Sequence, residues 1–535
     1  MKSLAALVAA LLLVQSGPSI EQTTQGAKPA LAVIDSFDGL GFGFAEGPAS
    51  NHPPAPRNPS DNSLAVGPDH VVQIVNSQVA IFTKKGARFE SSGKTLYGPT
   101  STNTFFAGFG GVCEARPNGD AVVRYDQLAN RWLIVMPIFR RVVFDADRSK
   151  PGDPAKPDDA AHPGAAGRPG PPPPLPPAPQ RGQAGAAATP PAPAPAEGTY
   201  AMCYAVSTTA DPLGPYYRYA FERPLFPDYP RPAVWPDGYY IPTSTGDEVI
   251  QKHACVVERE RMLKGEPARE QCVIIDGVNF LNNADVDGRA PPPSGAPNIM
   301  MAAGGTQLEN VLGDETISVW QFHVDWKTPS KTKVSGPLKI AVAPYHYLCG
   351  GQLTNCVPQP GSDRKLDAQG DKIMQRLVYR NVGGRESVVA VHSVDTAAGG
   401  GGVRWYEFGV DAKTRDVALR QQGTYAPDRF YRWMASPAID RHGNIAIGYS
   451  FGGAPNYAGQ RFAARLATDP PGVLTFHETV IVEGEAAQNA MRWEDYTQTA
   501  VDPSDDCTIW YVGDYIKKDA ATYSTRIASL KLPGC

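Results

Sequence analysis

Two motifs that mark common catalytic and cofactor sites are absent from this sequence. There is no His-Glu-x-x-His zinc motif and no P-loop, so the sequence does not indicate a zinc peptidase or a P-loop nucleotide site. The eight cysteines form no Cys-x-x-Cys pair, and no cysteine and histidine spacing suits zinc. We therefore predict no metal and no cofactor, and the sequence leaves open whether the protein is an enzyme.

The chain also lacks an excess of either charge. Its 50 Lys and Arg residues nearly balance 54 Asp and Glu residues, for a formal net charge of -4. Such a balance argues against the strongly basic surface with which proteins bind nucleic acids. We expect no nucleic-acid partner.

Long apolar runs are missing, except for one short run at the N-terminus. Lys2 precedes the apolar residues 4–14, a run of about eleven residues, whereas a membrane-spanning helix needs roughly twenty. This pattern, with small or uncharged residues at its end, is typical of a cleaved signal peptide. We predict that residues 1–16 are removed. The mature chain, residues 17–535, would then be periplasmic, displayed on the cell surface or secreted, without a membrane span.

An exported protein enters an oxidising compartment, where cysteines pair. Eight cysteines allow 105 connectivities, and the sequence alone does not choose among them. The simplest scheme joins each cysteine to its neighbour along the chain, and its last two bridges are favoured because each would close a loop within one repeat unit. The scheme predicts Cys113–Cys203, Cys255–Cys272, Cys349–Cys356 and Cys507–Cys535.

One segment differs in composition from the rest of the mature chain. Residues 149–198 are mainly Pro, Ala and Gly with scattered charges, and they have too few apolar side chains to offset the entropy of ordering. The flanking residues 131–136 and 200–206 are typical of strands. We predict a disordered insertion in the hairpin between two neighbouring strands, either a tolerated surface loop or a Pro-rich site for a partner.

The remaining chain repeats a pattern of a short apolar run, a turn rich in Asp, Pro, Gly or Asn, and a second apolar or aromatic run. Successive copies are 58, 111, 144, 60 and 62 residues apart when measured at Ala65, Val123, Val234, Val378, Ala438 and Ala500. With allowance for the insertion and for one degraded copy near residues 298–301, these intervals indicate seven units of about sixty residues.

Units of this length suit four-stranded antiparallel sheets arranged around an axis, an arrangement that leaves only short exposed edges. We predict an all-β fold, a single-domain β-propeller of about seven four-stranded blades. The last unit is one strand short, and residues 31–35 would supply its outer strand and close the ring. A series of β-sandwich domains is the alternative, although sandwich repeats usually run near one hundred residues.

Several stretches of the chain resemble a known group of proteins. They include residues 126–133, 205–212, 234–240, 492–496 and 502–511. Together they resemble a group of large, uncharacterised bacterial exoproteins with a predicted propeller fold. The resemblance covers nearly the whole mature chain; it implies a propeller and export, and it implies no activity.

Three arginines stand at matching points of the last three units. Arg376, Arg432 and Arg492 each precede the first apolar run of a unit, and in a propeller the residues that lead into the innermost strands crowd the mouth of the central channel. Three guanidinium groups at that place would bind a carboxylate or a phosphate. The outline is similar to the three arginines of sialidases, although the Asp-box repeat of that superfamily is not cleanly present. Arginines that tie one blade to the next are the alternative.

The residues beside two of these arginines complete the candidate ligand-binding site. Trp433 and Trp493 would stack on sugar rings or on a peptide, or else pack between blades. Glu494, Asp495 and Tyr496 would supply acid, base or nucleophilic groups.

These observations favour an exported, monomeric binding module that holds a glycan, a peptide or an extracellular protein at its channel mouth. A sialidase-like or other glycoside hydrolase is the second hypothesis. A structural scaffold of the cell surface is the third.

Overall fold

A computed structural model describes residues 20–44, 47, 57–142, 152–155, 199–244, 252–277, 280–303, 313–351 and 355–535 of the chain. The expected signal peptide and almost all of the Pro-rich segment 149–198 lie outside these residues. Within the described part of the chain, strands greatly outnumber helices. The all-β prediction is confirmed.

Most strands fall into seven groups, which we number sheets 1 to 7 in chain order; the fourth and fifth are hydrogen-bonded to each other in one larger sheet. Strands β1 (Glu21–Gln22) and β2 (Val33–Asp38) precede sheet 1, which contains β3 (Asn62–Val66), β4 (His70–Val75), β5 (Gln78–Thr83) and β6 (Thr95–Ser101). Sheet 2 contains β7 (Val122–Asp126), β8 (Arg131–Val142), β9 (Gly152–Ala155), β10 (Thr199–Ser207) and β11 (Tyr216–Arg223), with β9 as an additional edge strand. Sheet 3 contains β12 (Ala233–Trp235), β13 (Gly238–Thr243), β14 (Lys252–Val257) and β15 (Glu270–Ile275).

Sheet 4 contains β16 (Asn282–Val286), β17 (Asn298–Ala303), β18 (Gly313–His323) and β19 (Lys333–His346), and a hairpin of β20 (Asn355–Gln359) and β21 (Ser362–Asp367) follows it. Sheet 5 contains β22 (Leu377–Val382), β23 (Arg385–Asp395), β24 (Gly401–Val410) and β25 (Val417–Tyr425). Sheet 6 contains β26 (Tyr431–Ile439), β27 (Ile445–Gly453), β28 (Asn456–Arg465) and β29 (Thr479–Val482). Sheet 7 contains β30 (Gln498–Val501), β31 (Ile509–Tyr515) and β32 (Ser524–Leu530), with β2 as its fourth strand.

Helices are short and lie between strands. They are α1 (Gly111–Ala115) and α2 (Arg259–Lys264), together with 3-10 turns at Thr102–Phe106, Pro329–Lys331 and Leu348–Gly351. None of the described helices is long and apolar enough to cross a membrane.

Burial changes from the first strand of a sheet to the last. Every residue of β4 and β13 is buried, as expected for strands that pack on a neighbouring sheet with both faces. In the fourth strand β15, partly buried and exposed side chains alternate along its second half, and in the fourth strand β19 most side chains face solvent. Ile274 and Leu338 are among the exposed residues. The apolar runs in the repeat pattern therefore correspond to the inner strands, which have protein on both sides.

The first strands of the seven sheets, β3, β7, β12, β16, β22, β26 and β30, contact one another in chain order, and β30 also contacts β3. The contacts thus form a closed cycle. Strands β16 and β22 also pair in parallel, with Ala284 opposite Leu377, so the first strands of sheets 4 and 5 run in the same direction.

The chain ends meet in sheet 7. Strand β2 pairs antiparallel with β32, from Val33 opposite Leu530 to Asp38 opposite Arg526. The residues expected for this strand, 31–35, overlap β2, whose bounds lie further along the chain.

The sheets approach one another closely where small residues face aromatic rings. A Cβ added to Gly448 of β27 would lie 2.3 Å from a ring carbon of Tyr511 in β31, so sheets 6 and 7 leave no room for a side chain at that point. Large side chains fill the other seams, and six tryptophans are fully buried: Trp132, Trp235, Trp405, Trp433, Trp493 and Trp510.

All four predicted disulfide bridges are formed. Cys255 and Cys272 lie directly opposite each other on β14 and β15, with their Cα atoms 4.1 Å apart. Cys349 lies in the 3-10 turn Leu348–Gly351 and Cys356 lies in β20, so this bridge is outside the seven sheets. The bridge Cys349–Cys356 was expected to close a loop within one unit. It lies instead between sheets 4 and 5, where the chain forms an extra hairpin that the repeat pattern does not show.

Strands β8 and β10 flank most of the Pro-rich segment. They pair antiparallel, from Val142 opposite Thr199 to Leu133 opposite Val206. The chain therefore leaves and re-enters the same sheet on either side of residues 149–198.

Candidate functional site

Arg376 lies inside the ring of first strands. Its Nε donates to Asp285 Oδ2 and its Nη2 to Asp287 Oδ1, each at 2.6 Å, and Arg124 Nε lies 3.3 Å from the same oxygen of Asp285. Burial by itself lowers the pKa of Arg376, but the carboxylates of Asp287 and Asp285 outweigh burial and raise it. The guanidinium is thus charged and paired. It ties strands together across the interior of the ring.

Arg432 lies in the seam between sheets 5 and 6. It is fully buried, and it donates to both oxygens of Asp428 at 2.9 Å and to Glu478 at 2.8 Å. The rings of Tyr425 and Phe451 lie 5.6 and 5.0 Å from its guanidinium carbon. These five residues form a closed unit that joins two sheets, so Arg432 does not share a pocket with Arg376.

Trp433, Trp493 and Glu494 lie in a buried layer between sheets 6 and 7. The two indole rings are 6.0 Å apart, and all three residues have no exposed surface. Trp493 Nε1 donates to Ser450 Oγ at 2.9 Å, and that hydroxyl donates to Glu494 Oε2 at 2.7 Å. The structure therefore places these three predicted residues away from solvent.

A Gly-x-Ser-x-Gly motif, which the sequence analysis overlooked, lies in the same layer. Residues 448–452, Gly-Tyr-Ser-Phe-Gly, match the nucleophile-elbow pattern of α/β-hydrolases. That mechanism needs the serine on a sharp turn between a strand and a helix. All five residues instead lie within β27, and Ser450 is fully buried. Ser450 therefore does not occupy a nucleophile elbow.

The remaining predicted residues are Arg492, Asp495 and Tyr496. They lie at the end of the ring where the chain enters the first strands, and we call this end the mouth. Aspartates from four sheets meet there, and we call them the aspartate cluster: Asp61 before β3, Asp120 before β7, Asp228 before β12 and Asp495 before β30.

Three members of the aspartate cluster share an unusual backbone conformation. Asp61, Asp120 and Asp495 have left-handed φ angles of 49°, 50° and 67°. Aspartate tolerates this region better than most residues because its short polar side chain bonds to nearby backbone. The repeated turn brings a carboxyl group to the same place in each sheet.

Asp61 and Asp120 form the centre of the cluster. Their carboxyl groups hydrogen-bond to each other, Asn76 Nδ2 donates to Asp61, and the Tyr229 backbone N–H donates to Asp120 at 3.3 Å. Burial raises the pKa of both carboxyl groups well above the usual range, and the neighbouring aspartates, among them Asp495, raise it further. Since two carboxylates in contact cannot both ionise readily, burial and contact favour the form in which the pair holds a proton.

Arg492 and Asp495 form the part of the mouth that faces solvent. The Arg492 side chain is 34% exposed, donates to Asp495, and has its Nε 3.0 Å from Asp367 Oδ2. Gln369 Nε2 donates to Asp495 Oδ1 at 2.8 Å. Burial raises the pKa of Asp367 to about 6, and the charge of Asp495 contributes to that shift. An accessible carboxylate and guanidinium thus lie beside the proton-sharing pair.

Aromatic rings and cations lie beneath the aspartates. The ring of Tyr229 contacts those of Tyr496 and Phe280, at 5.0 and 5.3 Å between centroids. Arg231 lies 4.5 Å from the Tyr229 centroid, and Lys372 Nζ lies 3.8 Å from that of Phe280. The Tyr496 hydroxyl is buried and has no hydrogen-bond partner among the described residues. Its pKa is raised by burial and then by the nearby Asp120 and Asp61.

The structure thus brings together Arg492, Asp495 and Tyr496 of the eight predicted site residues, and it adds Asp61, Asp120 and Asp228, which the sequence analysis missed. A signal for the added residues was present in the repeat. An aspartate precedes the anchor position of four units by three to six residues, as Asp61 precedes Ala65 and Asp495 precedes Ala500.

Comparisons with known proteins give weak structural matches. No protein-family model matches the chain, and no curated protein matches it by sequence. Among solved structures, the chain is similar to a PL25 ulvan lyase bound to a GlcA-Rha3S ligand, at 9% identity and a TM-score of 0.33 over 95% of this chain and 94% of that one. It is similar to the GH62 α-L-arabinofuranosidase catalytic domain of Coprinopsis cinerea, at 8% identity and a TM-score of 0.25 over 57% and 90% of the two chains. It is also similar to the WD40 domain of SCAP from fission yeast, at 12% identity and a TM-score of 0.25 over 63% and 74%. At these values the neighbours' activities remain properties of those proteins alone.

Proposed function

We propose that the seven sheets are the blades of one propeller, closed by β2. The closed cycle of contacts among the first strands and the pairing of β2 with β32 support this arrangement. Residues 17–535 are then one domain, and residues 149–198 are a disordered loop between β8 and β10 of the second blade.

The protein is an exported monomer in this proposal, with residues 1–16 as a cleaved signal peptide. Four disulfide bridges support export, because such bridges persist in oxidising compartments. Release into the medium, retention in the periplasm and display on the surface are all compatible with these bridges.

The propeller binds a glycan at its mouth. The observation that carries this proposal is the combination, at one end of the ring, of partly exposed Asp120, Asp228, Asp495 and Arg492 above a set of tyrosine rings. Carboxylates and a guanidinium suit the hydroxyl groups of a sugar, because hydrogen bonds with one ionised partner are stronger than neutral ones.

A glycoside hydrolase is the second candidate, and the Asp61–Asp120 pair favours it. A carboxyl group that keeps its proton can act as a general acid, while a second carboxyl group nearby, such as that of Asp495, acts as a base or nucleophile.

The test is a glycan array with the purified mature protein, run in parallel with fluorogenic glycoside substrates. We expect binding that Asp495→Asn weakens and that Glu260→Gln leaves unchanged, because Glu260 is 78% exposed on α2 and contacts no residue of the mouth. Release of the fluorophore by the wild type, abolished by Asp120→Asn, would favour the hydrolase. Silence in both assays would refute both candidates and leave the scaffold.

A further inference from the structure

A groove lies at the end of the ring opposite the mouth. Asp120 and Asp228 of the mouth precede the first strands β7 and β12, whereas Gln127 and Pro236 of the groove follow the same two strands. The groove is formed by turns of sheets 2, 3 and 4 and has a volume of about 410 Å³. Small-molecule sites usually have volumes of about 300–1,000 Å³, so the groove is large enough for a ligand. We call it the basal groove.

The lining of the basal groove has two positive side chains and no negative one. It consists of Arg259, Arg289, the amides of Gln127 and Asn130, one leucine and two prolines. A concave surface with charge of one sign raises the local concentration of ligands of the opposite sign. The lining therefore favours an anion.

Arg259 is held in a fixed position in the wall of the groove. Its side chain is nine-tenths buried, and its Nε and Nη2 donate to the two oxygens of Asp126 at 2.6 and 3.0 Å. Tyr239 also donates to Asp126, at 2.8 Å. Asp237, which interacts with Arg259 as well, forms no ion pair within 4.0 Å in the described part of the chain and does not line the groove. The charge of Arg259 is thus balanced by Asp126.

Arg289 has no such partner. Its side chain is exposed, and its Nη2 donates to the backbone carbonyl of Pro503, between β30 and β31, at 3.0 Å. No carboxylate of the described residues lies within 4.0 Å of its guanidinium. Most of the five N–H donors of this guanidinium are therefore available to a ligand in the groove.

The two amides add hydrogen-bonding groups without charge. Gln127 Nε2 donates to Val501 O at 3.1 Å, which fixes this side chain against sheet 7. Asn130 is exposed, its Oδ1 accepts from the Tyr125 hydroxyl at 3.5 Å, and its Nδ2 has no acceptor among the described residues. An amide can donate to and accept from hydroxyl groups. A ligand with a carboxylate and several hydroxyl groups therefore matches the arginine and the amide, whereas an inorganic anion matches the arginine alone.

We infer that the basal groove binds an acidic sugar, whose carboxylate pairs with Arg289 and whose hydroxyl groups bond to Asn130. The planar fork of a guanidinium matches the two oxygens of a carboxylate. This site is separate from the mouth and does not depend on the glycan binding proposed there.

The inference moves the expected anion site to other arginines. The sequence analysis selected Arg376, Arg432 and Arg492, and each of them is paired with carboxylates of the protein. Arg289 follows the first strand of its sheet, while the three selected arginines were chosen because they precede the apolar runs.

The experiment is isothermal titration calorimetry of the mature protein at neutral pH and constant ionic strength with digalacturonate, its uncharged dimethyl ester and sodium sulfate. We expect digalacturonate to bind about tenfold or more tightly than the ester, because hydrogen bonds between two charged groups are stronger. Arg289→Gln should reduce this difference to about twofold. Since Arg289 is exposed, the variant should fold, and a thermal melt checks this.

Two further variants separate charge from hydroxyl recognition. Asn130→Gly should weaken the binding of acid and ester alike, and it keeps the backbone unstrained because Asn130 has a left-handed φ of 55°. Arg261→Gln is the matched control. Arg261 is 47% exposed on α2, pairs with Glu258 and does not line the groove, so its loss should leave every affinity unchanged.

Other outcomes overturn the inference in distinguishable ways. Equal affinity for the acid and the ester would show that no arginine recognises the carboxylate, and sulfate binding as tight as digalacturonate binding would show a site for any small anion. Digalacturonate binding that Asp495→Asn weakens and Arg289→Gln spares would place the sugar at the mouth, which supports the proposed function and overturns the inference. Absence of digalacturonate binding, with glycan-array binding retained, overturns the inference alone.

Discussion

Replacing Asp514 by asparagine should make the protein more resistant to unfolding as the pH rises. Asp514 lies in β31 and is buried. Its Oδ1 accepts a hydrogen bond from Asn62 Nδ2, and its Oδ2 has no partner among the described residues. Burial raises the pKa of Asp514 to about 8. The pKa of the neighbouring Glu494 is also raised, first by its own burial and then by the charge of Asp514.

The sign of the effect follows from linkage. The folded state keeps a proton on Asp514 that the unfolded state, with a pKa near 3.8, releases. The free energy of unfolding therefore falls as the pH rises from about 4 to about 8, by about 1.4 kcal/mol per pH unit for this one proton. Between pH 5 and pH 7 the loss due to Asp514 is about 3 kcal/mol. Asparagine keeps the oxygen that Asn62 contacts and never ionises, so the variant avoids this loss.

The assay is urea unfolding at pH 5, 6 and 7, followed by the fluorescence of the buried tryptophans. We expect similar midpoints for the wild type and Asp514→Asn at pH 5, and a growing advantage for the variant at pH 6 and 7. Glu260→Gln controls for the removal of an exposed carboxylate. Parallel pH profiles for wild type and variant would show that Asp514 is ionised in the folded protein, and they would refute the reasoning.

Two further substitutions and one deletion test the architecture. Arg376→Met leaves Asp285 and Asp287 buried without their guanidinium, and it should cost about 3–5 kcal/mol of the free energy of unfolding, measured by urea titration; a loss below about 1 kcal/mol would contradict the role of Arg376 as a tie. Gly448→Ala inserts a methyl group against Tyr511 and should cost about 1–3 kcal/mol, seen as a lower melting temperature, whereas an unchanged melting temperature would mean that the two sheets separate easily. Deleting β2 exposes the edge of β32, and it should lower the melting temperature and cause aggregation on size-exclusion chromatography; a monomeric, equally stable product would argue against closure of the ring by β2.

The repeat spacing was enough to find most sheets because each sheet begins with a strand buried on both faces. Such strands begin with β-branched or other apolar residues, as in residues 122–126 and 377–382, so they stand out from their surroundings at regular intervals. Sheet 4 was harder to place. Its first strand, β16 (Asn282–Val286), carries Asn and Asp at three of five positions, and the copy was sought near residues 298–301, which belong to its second strand.

The arginine hypothesis shows why the site could not be found in the same way. Arg376, Arg432 and Arg492 occupy similar positions relative to their anchors, yet the structure sends them to the ring interior, to a seam and to the mouth. Their carboxylate partners lie far away in sequence, as Asp285 does from Arg376 and Asp367 does from Arg492. Sequence distance gives no indication of such pairs.

The sequence by itself determined the strand content and the spacing of most of the sheets, because these depend on local composition and on residues close along the chain. The folded structure alone decided which charged groups are neutralised and which remain in excess. That decision depends on contacts between residues such as Asp61, Asp120 and Tyr496, which belong to three different sheets and meet only when the first strands come together.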